Sequence, residues 1–249
     1  MTDLGISGMS RTMQSALAWS GLVFAGFFVV GWLGFVQWVP PLAPSESAEA
    51  TAAHYRHRTD QIRLGFMLVF LGQIAFPLFG AAISAQTRRI RQAPRALSYA
   101  QIAAVGCANM AMVGPLTVFF VAAFRPERAA ETTQLLNDLA WVSFMVAFPP
   151  FVAWAFAIGM AILADTTDRP VYPRWSGYLC VFVGLVQIPA GGLIFFTTGP
   201  FSWNSLFPFW LPAPIWFGWI LTMTWLTAAA SRAPEPTADL AAPVSLQHA

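Results

Sequence analysis

Along this chain, six apolar runs alternate with short polar segments. A membrane-spanning helix needs about 20 consecutive, mostly apolar residues. Runs of that kind are expected to form helices over residues 15–38, 62–86, 97–124, 141–164, 177–198 and 210 to about 230. The first is too long for a signal-peptide core and leads into Pro40-Pro41 rather than a small-residue cleavage site, so it is read as a span. Residues 45–60 lack long apolar side chains and predict a surface helix, whose early Glu46 and Glu49 suit the helix dipole. Residues 125–140 are polar, with Pro126 at a favourable helix start, and run straight into the fourth span. The tail from residue 231, with Pro234, Pro236 and Pro243, has no periodicity and is expected to be disordered and cytoplasmic. The pattern therefore predicts an all-α polytopic protein, with one six-helix membrane domain over residues 1–230.

One stretch is written twice. Residues 80–99 read GAAISAQTRRIRQAPRALSY, and 79 residues later 159–178 read GMAILADTTDRPVYPRWSGY. Gly80, Ala82, Ile83, Ala85, Thr87, Pro94, Arg95 and Tyr99 recur as Gly159, Ala161, Ile162, Ala164, Thr166, Pro173, Arg174 and Tyr178. Upstream, Asp60, Phe66, Met67 and Phe70 recur as Asp138, Phe144, Met145 and Phe148. The repeated unit is a transmembrane hairpin, with copies over about 60–124 and 138–198. Two spans per copy preserve orientation, which implies a parallel repeat about an axis along the membrane normal. The second to fifth spans would then form the core, flanked by the first and sixth.

Composition sharpens the picture. The chain is 57% hydrophobic and 10% charged, against about 25% charged for a soluble domain. Every one of the 13 basic residues is arginine, which excludes a Schiff-base lysine and a phosphate-loop lysine. Cys107 and Cys180 fall at different depths in different helices, so no disulfide is expected, and there is no CxxC pair. A net charge of +2 gives no reason to expect a nucleic-acid partner. Arg88, Arg89, Arg91 and Arg95 cluster in one loop, and the positive-inside rule then places both termini in the cytoplasm of a bacterial inner membrane. Trp19, Trp175 and Trp225 would mark the inner interface, and Trp38, Trp141, Trp203 and Trp210 the outer one.

Three spans carry proline at a similar depth, namely Pro115, Pro149-Pro150 and Pro189, each roughly 13–15 Å below the outer boundary at 1.5 Å per residue. Each proline frees a carbonyl that must find a partner or a wet cavity, with Asn109, Ser143 and Gln187 the nearby candidates. This points to an outward-facing midplane cavity. Trp32, Trp154, Trp216, Trp219 and the phenylalanines would suit an apolar, lipid-like or aromatic ligand with one or two polar atoms. The core spans hold no acid, histidine or arginine in their middle, which disfavours ion-coupled transport. At the outer mouth, Asp138 is expected to pair with Arg63, Arg125 or Arg128, leaving Asn137 free for a ligand. His54 and His57, one helical turn apart and followed by Asp60, form a weak candidate metal site opposed by Arg56 and Arg58. Arg95 and Arg174 are expected to anchor at lipid phosphates, worth about 1 kcal/mol each, or to meet a carboxylate such as Asp165. No cofactor is implied.

In NDLAW…FPPF, the loop PVYPRWSGY and GGLIFFTTGPFSWN, the chain resembles an uncharacterised family of small bacterial six-helix inner-membrane proteins. The resemblance covers most of residues 60–225 and implies the six-helix architecture without an activity. Three functions stay open: binding or passing an apolar small molecule, serving as a non-catalytic accessory or scaffold subunit (or a homo-oligomer) through the Gly177, Gly184 and Gly191 stripe and the aromatic faces of the spans, and membrane enzymology at the outer His/acid cluster. The topology has a direct check: reporters fused at Ala50 and Thr133 are expected to appear outside the cell, and cytoplasmic signal from both overturns the orientation.

Overall fold

The structure, a computed structural model, describes residues 11–233, and the leader through Ser10 and the tail from Pro234 lie outside the described residues. The described residues are all-α, and six segments are long and apolar enough to cross a bilayer. The protein is a multi-pass membrane protein. Helix α1 (Arg11–Val29) continues as a π-helical segment, Val30–Val36, to complete the first span. Surface helix α2 (Ala48–His57) starts at Ser47, whose hydroxyl accepts the Ala50 amide. Helices α3 (Thr59–Gly72) and α4 (Ala75–Thr87) share the second span, and α5 (Arg95–Phe124) is the third. Helices α6 (Ala130–Met145) and α7 (Phe148–Leu163) form the fourth. Helix α8 (Arg174–Gln187) tightens into a 3-10 segment, Ile188–Phe195, and a π-helical turn, Leu206–Trp210, leads into α9 (Pro212–Arg232).

The six spans stand where the apolar runs predict them, with different ends. Helix α6 already starts at Ala130, so the fourth span is 34 residues long. At 1.5 Å per residue that is about 50 Å, against about 30 Å of hydrocarbon, so the fourth span exceeds what a bilayer core needs and its polar first turns are the excess. Helix α9 runs to Arg232 with Ser231 buried, so residue 231 belongs to the helix rather than the tail. Pro115 sits inside an unbroken α5, whereas Pro149 and Pro150 occupy the first turn of α7, where missing amide protons cost nothing. The second span breaks at Gln73, the fourth at Val146-Ala147, and Pro189 opens the 3-10 segment.

Neither the first nor the last span is peripheral. Helix α1 packs against α9, α4 and α3, and Phe24, Phe28 and Trp32 belong to the main hydrophobic cluster. Trp32 is its hub, with ring centroids 5.5–6.3 Å from Phe28, Trp38, Phe66, Phe119, Trp141 and Phe144. Gln37 takes a left-handed conformation, φ 57°, which ends the first span and folds the chain back over it. As a result Trp38 is 1% exposed and Trp141 fully buried, so both are core residues and not the outer belt the sequence suggested. Trp203 is buried as well, stacking on Trp141 at 6.5 Å. Trp19, Trp175, Trp210 and Trp225 are exposed.

Small residues set the helix spacing, as expected where lipid removes the hydrophobic drive for helix association. A Cβ added at Gly177, Gly184 or Gly191 would lie 2.8, 2.6 or 3.1 Å from Leu163, Phe156 or Phe148, all on α7. The glycine stripe is therefore occupied within the chain and offers no partner surface, which corrects the scaffold reading built on it. The tightest backbone approach joins the first span to α3. A Cβ on Gly31 would meet the Gly65 carbonyl at 2.5 Å, and one on Gly65 would meet the Gly31 carbonyl at 2.7 Å. Backbone cannot rotate away as a side chain can. Gly65→Ala is expected to destabilise the protein by roughly 1–3 kcal/mol, read as a lowered detergent-solubilised melting temperature. Gly26→Ala, with nothing within 4 Å, serves as the neutral control. Equal melting temperatures for the two variants would contradict the close approach.

Candidate functional site

The prolines that shape the last two spans also open a gap between them and α1. Pro189 starts the 3-10 segment, which narrows the end of α8. Pro208 lies in the π-helical turn, and Pro212 and Pro214 form the first turn of α9. The resulting cavity has a volume of about 370 Å³. One wall is α1 and the segment after it, with Phe24, Phe28, Val29, Trp32, Leu33 and Val39. A second comes from the α6–α7 joint, with Phe144, Met145, Phe148 and Phe151, and from Met112 of α5. Gln187 and Ala190 contribute from the end of α8, and the start of α9 closes the site with Phe209, Trp210, Trp216 and Phe217 beside the three prolines.

Aromatic packing fixes these walls. Trp32 lies between Phe28 and Phe144, nearly parallel to both at 5.5 and 5.8 Å. Trp216 stacks on Trp219 at 4.9 Å and meets Phe151 edge-on at 5.0 Å. Such pairs contribute about 0.5–1.5 kcal/mol each beyond burial, so the rings are poorly placed to collapse into the gap. The rim is open to lipid: Val29, Leu33 and Trp210 are 41%, 51% and 46% exposed. No charged side chain lines the cavity, and no Asp, Glu, Lys, Arg or His occurs anywhere between Arg174 and Arg232.

The structure brings only part of the sequence-predicted set to this place. Gln187 and Trp216 line the cavity, and Phe148 and Phe151 on either side of Pro149-Pro150 do so although the prolines do not. Trp154 and Trp219 stand behind the lining, Trp154 ringed by Phe76, Phe79, Trp216 and Trp219. Pro115, Asn109 and Pro189 do not line it. The expected carbonyl partners also fail. Ser143 donates to the Leu139 and Ala140 carbonyls of its own helix, and the Asn109 amide oxygen is buried without a partner. The Leu185 carbonyl, freed by Pro189, is taken by the Ile188 amide in a tighter turn, which leaves Gln187 for the cavity.

Asn137 and Asp138 do not line the cavity. The Tyr55 hydroxyl donates to Asn137 Oδ1 at 3.1 Å, and Asn137 Nδ2 donates to Asp138 at 3.4 Å. Asn137 is therefore engaged on both sides. No arginine of the described residues pairs with Asp138; Arg63 instead bonds Asp60 at 3.2 Å and the Ala123 and Phe124 carbonyls at the end of α5. Arg174 likewise donates to the Leu163 carbonyl at the end of α7, while Asp165 accepts from Thr167 and from the Val171 amide. Arg88, Arg91 and Arg95 are exposed, Arg95 opening α5, and Arg89 reaches the Ala230 and Ala233 carbonyls.

His54 is engaged with the core through Trp38. Its Nε2 accepts the Trp38 indole N–H, His57 is exposed, and no group of three His, Cys, Asp or Glu able to hold a metal exists among the described residues. Burial pushes the Tyr55 hydroxyl well up, helped by the Asp138 charge, and keeps it a donor. Comparison with protein-family models, curated proteins and solved structures returned no match.

Burial, then the charges of Arg58 and His57, push His54 below its ordinary pKa. A folded pKa below the unfolded value of about 6.5 gives stability that is complete above that value. It is lost as pH falls through the folded pKa, because protonation removes the acceptor of the Trp38 bond. Melting temperatures measured between about pH 7.5 and 5 are expected to fall towards acid. His54→Gln should flatten that fall and His57→Gln should not; an unchanged acid limb in His54→Gln contradicts the assignment.

Proposed function

We propose that this protein holds an uncharged, membrane-dissolved small molecule in the aromatic cavity between α1, α7 and α9, admitted sideways from the bilayer. The observation that carries the reading is the cavity itself, about 370 Å³, almost wholly apolar, with Val29, Leu33 and Trp210 exposed at its rim. In the orientation set by the arginine-rich loop, the rim faces the outer leaflet of a bacterial inner membrane and both termini are cytoplasmic. The Pro-Arg loops that precede α5 and α8 belong to a duplicated hairpin in this reading, since Pro94 and Pro173 both cap the helix that follows.

A second reading, a membrane partner or second copy, is favoured by one observation. Helix α5 turns Ile102, Gly106, Met110 and Gly114 outward, with open space beside both glycines. Native mass spectrometry of the detergent-purified protein separates the two. A retained small molecule near stoichiometry supports the cavity reading, and a stable protein partner without one supports the alternative. Val29→Trp with Leu33→Trp narrows the rim and is expected to reduce retention by about tenfold or more at unchanged folding yield. Equal retention in this variant would sink sideways admission.

A further inference from the structure

Resting on the cavity reading above, we infer that the ligand is a planar, uncharged, carbonyl-bearing ring on an apolar tail, that is, a membrane-soluble quinone together with its quinol form. The starting point is what lipid cannot supply. A purely aliphatic molecule already surrounded by acyl chains gains no hydrophobic free energy by moving into another apolar space. Selective occupancy must come from groups the bilayer core lacks, and the cavity offers two.

The first is a set of fixed aromatic faces and edges, led by the parallel Phe28, Trp32 and Phe144 rings and by Trp216. These favour a flat π-system in offset or edge contact. The second is the Gln187 amide. It lines the cavity, and its side chain makes no hydrogen bond among the described residues. The carbonyl it was placed to serve is already satisfied by the Ile188 amide. An amide offers both a donor and an acceptor, so its N–H suits a quinone carbonyl and its oxygen suits a quinol hydroxyl. The absence of charge in the lining makes a carboxylate, phosphate or ammonium head costly there. The lipid-exposed rim at Val29, Leu33 and Trp210 lets a tail stay in the bilayer while the ring sits inside.

The test uses the full-length protein in phosphatidylcholine nanodiscs and a decyl-benzoquinone with a photoreactive group on its tail, with cross-linked peptides mapped by mass spectrometry. Labelling is expected on the peptides that contain Leu33 and Trp210. Excess unlabelled decyl-benzoquinone should compete, and decanol should not. Gln187→Leu, which keeps size and removes the amide, is expected to weaken competition by about tenfold, the worth of one hydrogen bond at this site, with melting temperature unchanged. Labelling that decanol displaces as well as the quinone does, with no effect of Gln187→Leu, overturns the ring assignment and leaves an apolar-chain cavity standing. No competable labelling of either peptide overturns both readings.

Discussion

Hydrocarbon offers the backbone no water. Every amide proton and carbonyl at a helix end must therefore be met by the protein or removed from it, and this one constraint organises both rims of the bundle. Five arginines reach carbonyls at helix ends across the fold: Arg58 at Phe35 and Val36, Arg63 at Ala123 and Phe124, Arg128 at Val121, Arg89 at Ala230, and Arg174 at Leu163. A guanidinium suits this work because one fork can serve two carbonyls and stays charged, while its positive charge meets the negative end of the helix dipole. That gives a structural sense to a chain with 13 arginines and no lysine. Among the described residues Asp138 and Asp165 form no ion pair, for Arg63 serves Asp60 and two carbonyls and Arg174 serves a carbonyl.

The start of α9 meets the same constraint from the other side. A helix beginning in an apolar layer would leave four amide protons unmet. Pro212 and Pro214 remove two of them, and the Leu211 amide bonds back to the Leu206 carbonyl in the π-helical turn. At the end of α8, the 3-10 segment answers Pro189 by a shorter hydrogen bond. Prolines thus mark the irregular ends of the last two spans, and the cavity opens beside them.

How much of this was legible in the sequence follows from which signals are local. Span number is a matter of apolar length, and it was readable. The glycine stripe on α8 announced close packing, but not that Phe148, Phe156 and Leu163 of the preceding helix fill it. Trp38 looked like a belt residue because its burial depends on the left-handed Gln37 and on His54, which receives its N–H from sixteen residues away. Equal depth pointed to Gln187, which lines the cavity, and to Pro149-Pro150, whose neighbours Phe148 and Phe151 do, yet depth says nothing about azimuth. Pro115 and Asn109 do not line the cavity, while Leu33 of the π-helical segment after α1 and the prolines opening α9 were missed. No hydrophobic pattern distinguishes a wall from a lipid face when both are apolar.

The two faces of the first span have opposite packing, and the cavity depends on that contrast. On one face, Gly31 presses backbone to backbone on Gly65 and fixes the distance to α3. On the other, Phe28, Trp32 and Leu33 line the cavity. In water, such a void would draw its walls together, since burying about 100 Å² of apolar surface returns roughly 2.5 kcal/mol. In lipid the same closure returns almost nothing, because the displaced neighbour is as apolar as the wall. What decides the shape is then packing between rings, and Trp32, held by six aromatic neighbours and bonded through its indole N–H to the Trp38 carbonyl, has no better place to go. An open aromatic cavity is a stable outcome in this solvent because ring-to-ring packing and close glycine contacts, not the expulsion of water, set the helix positions.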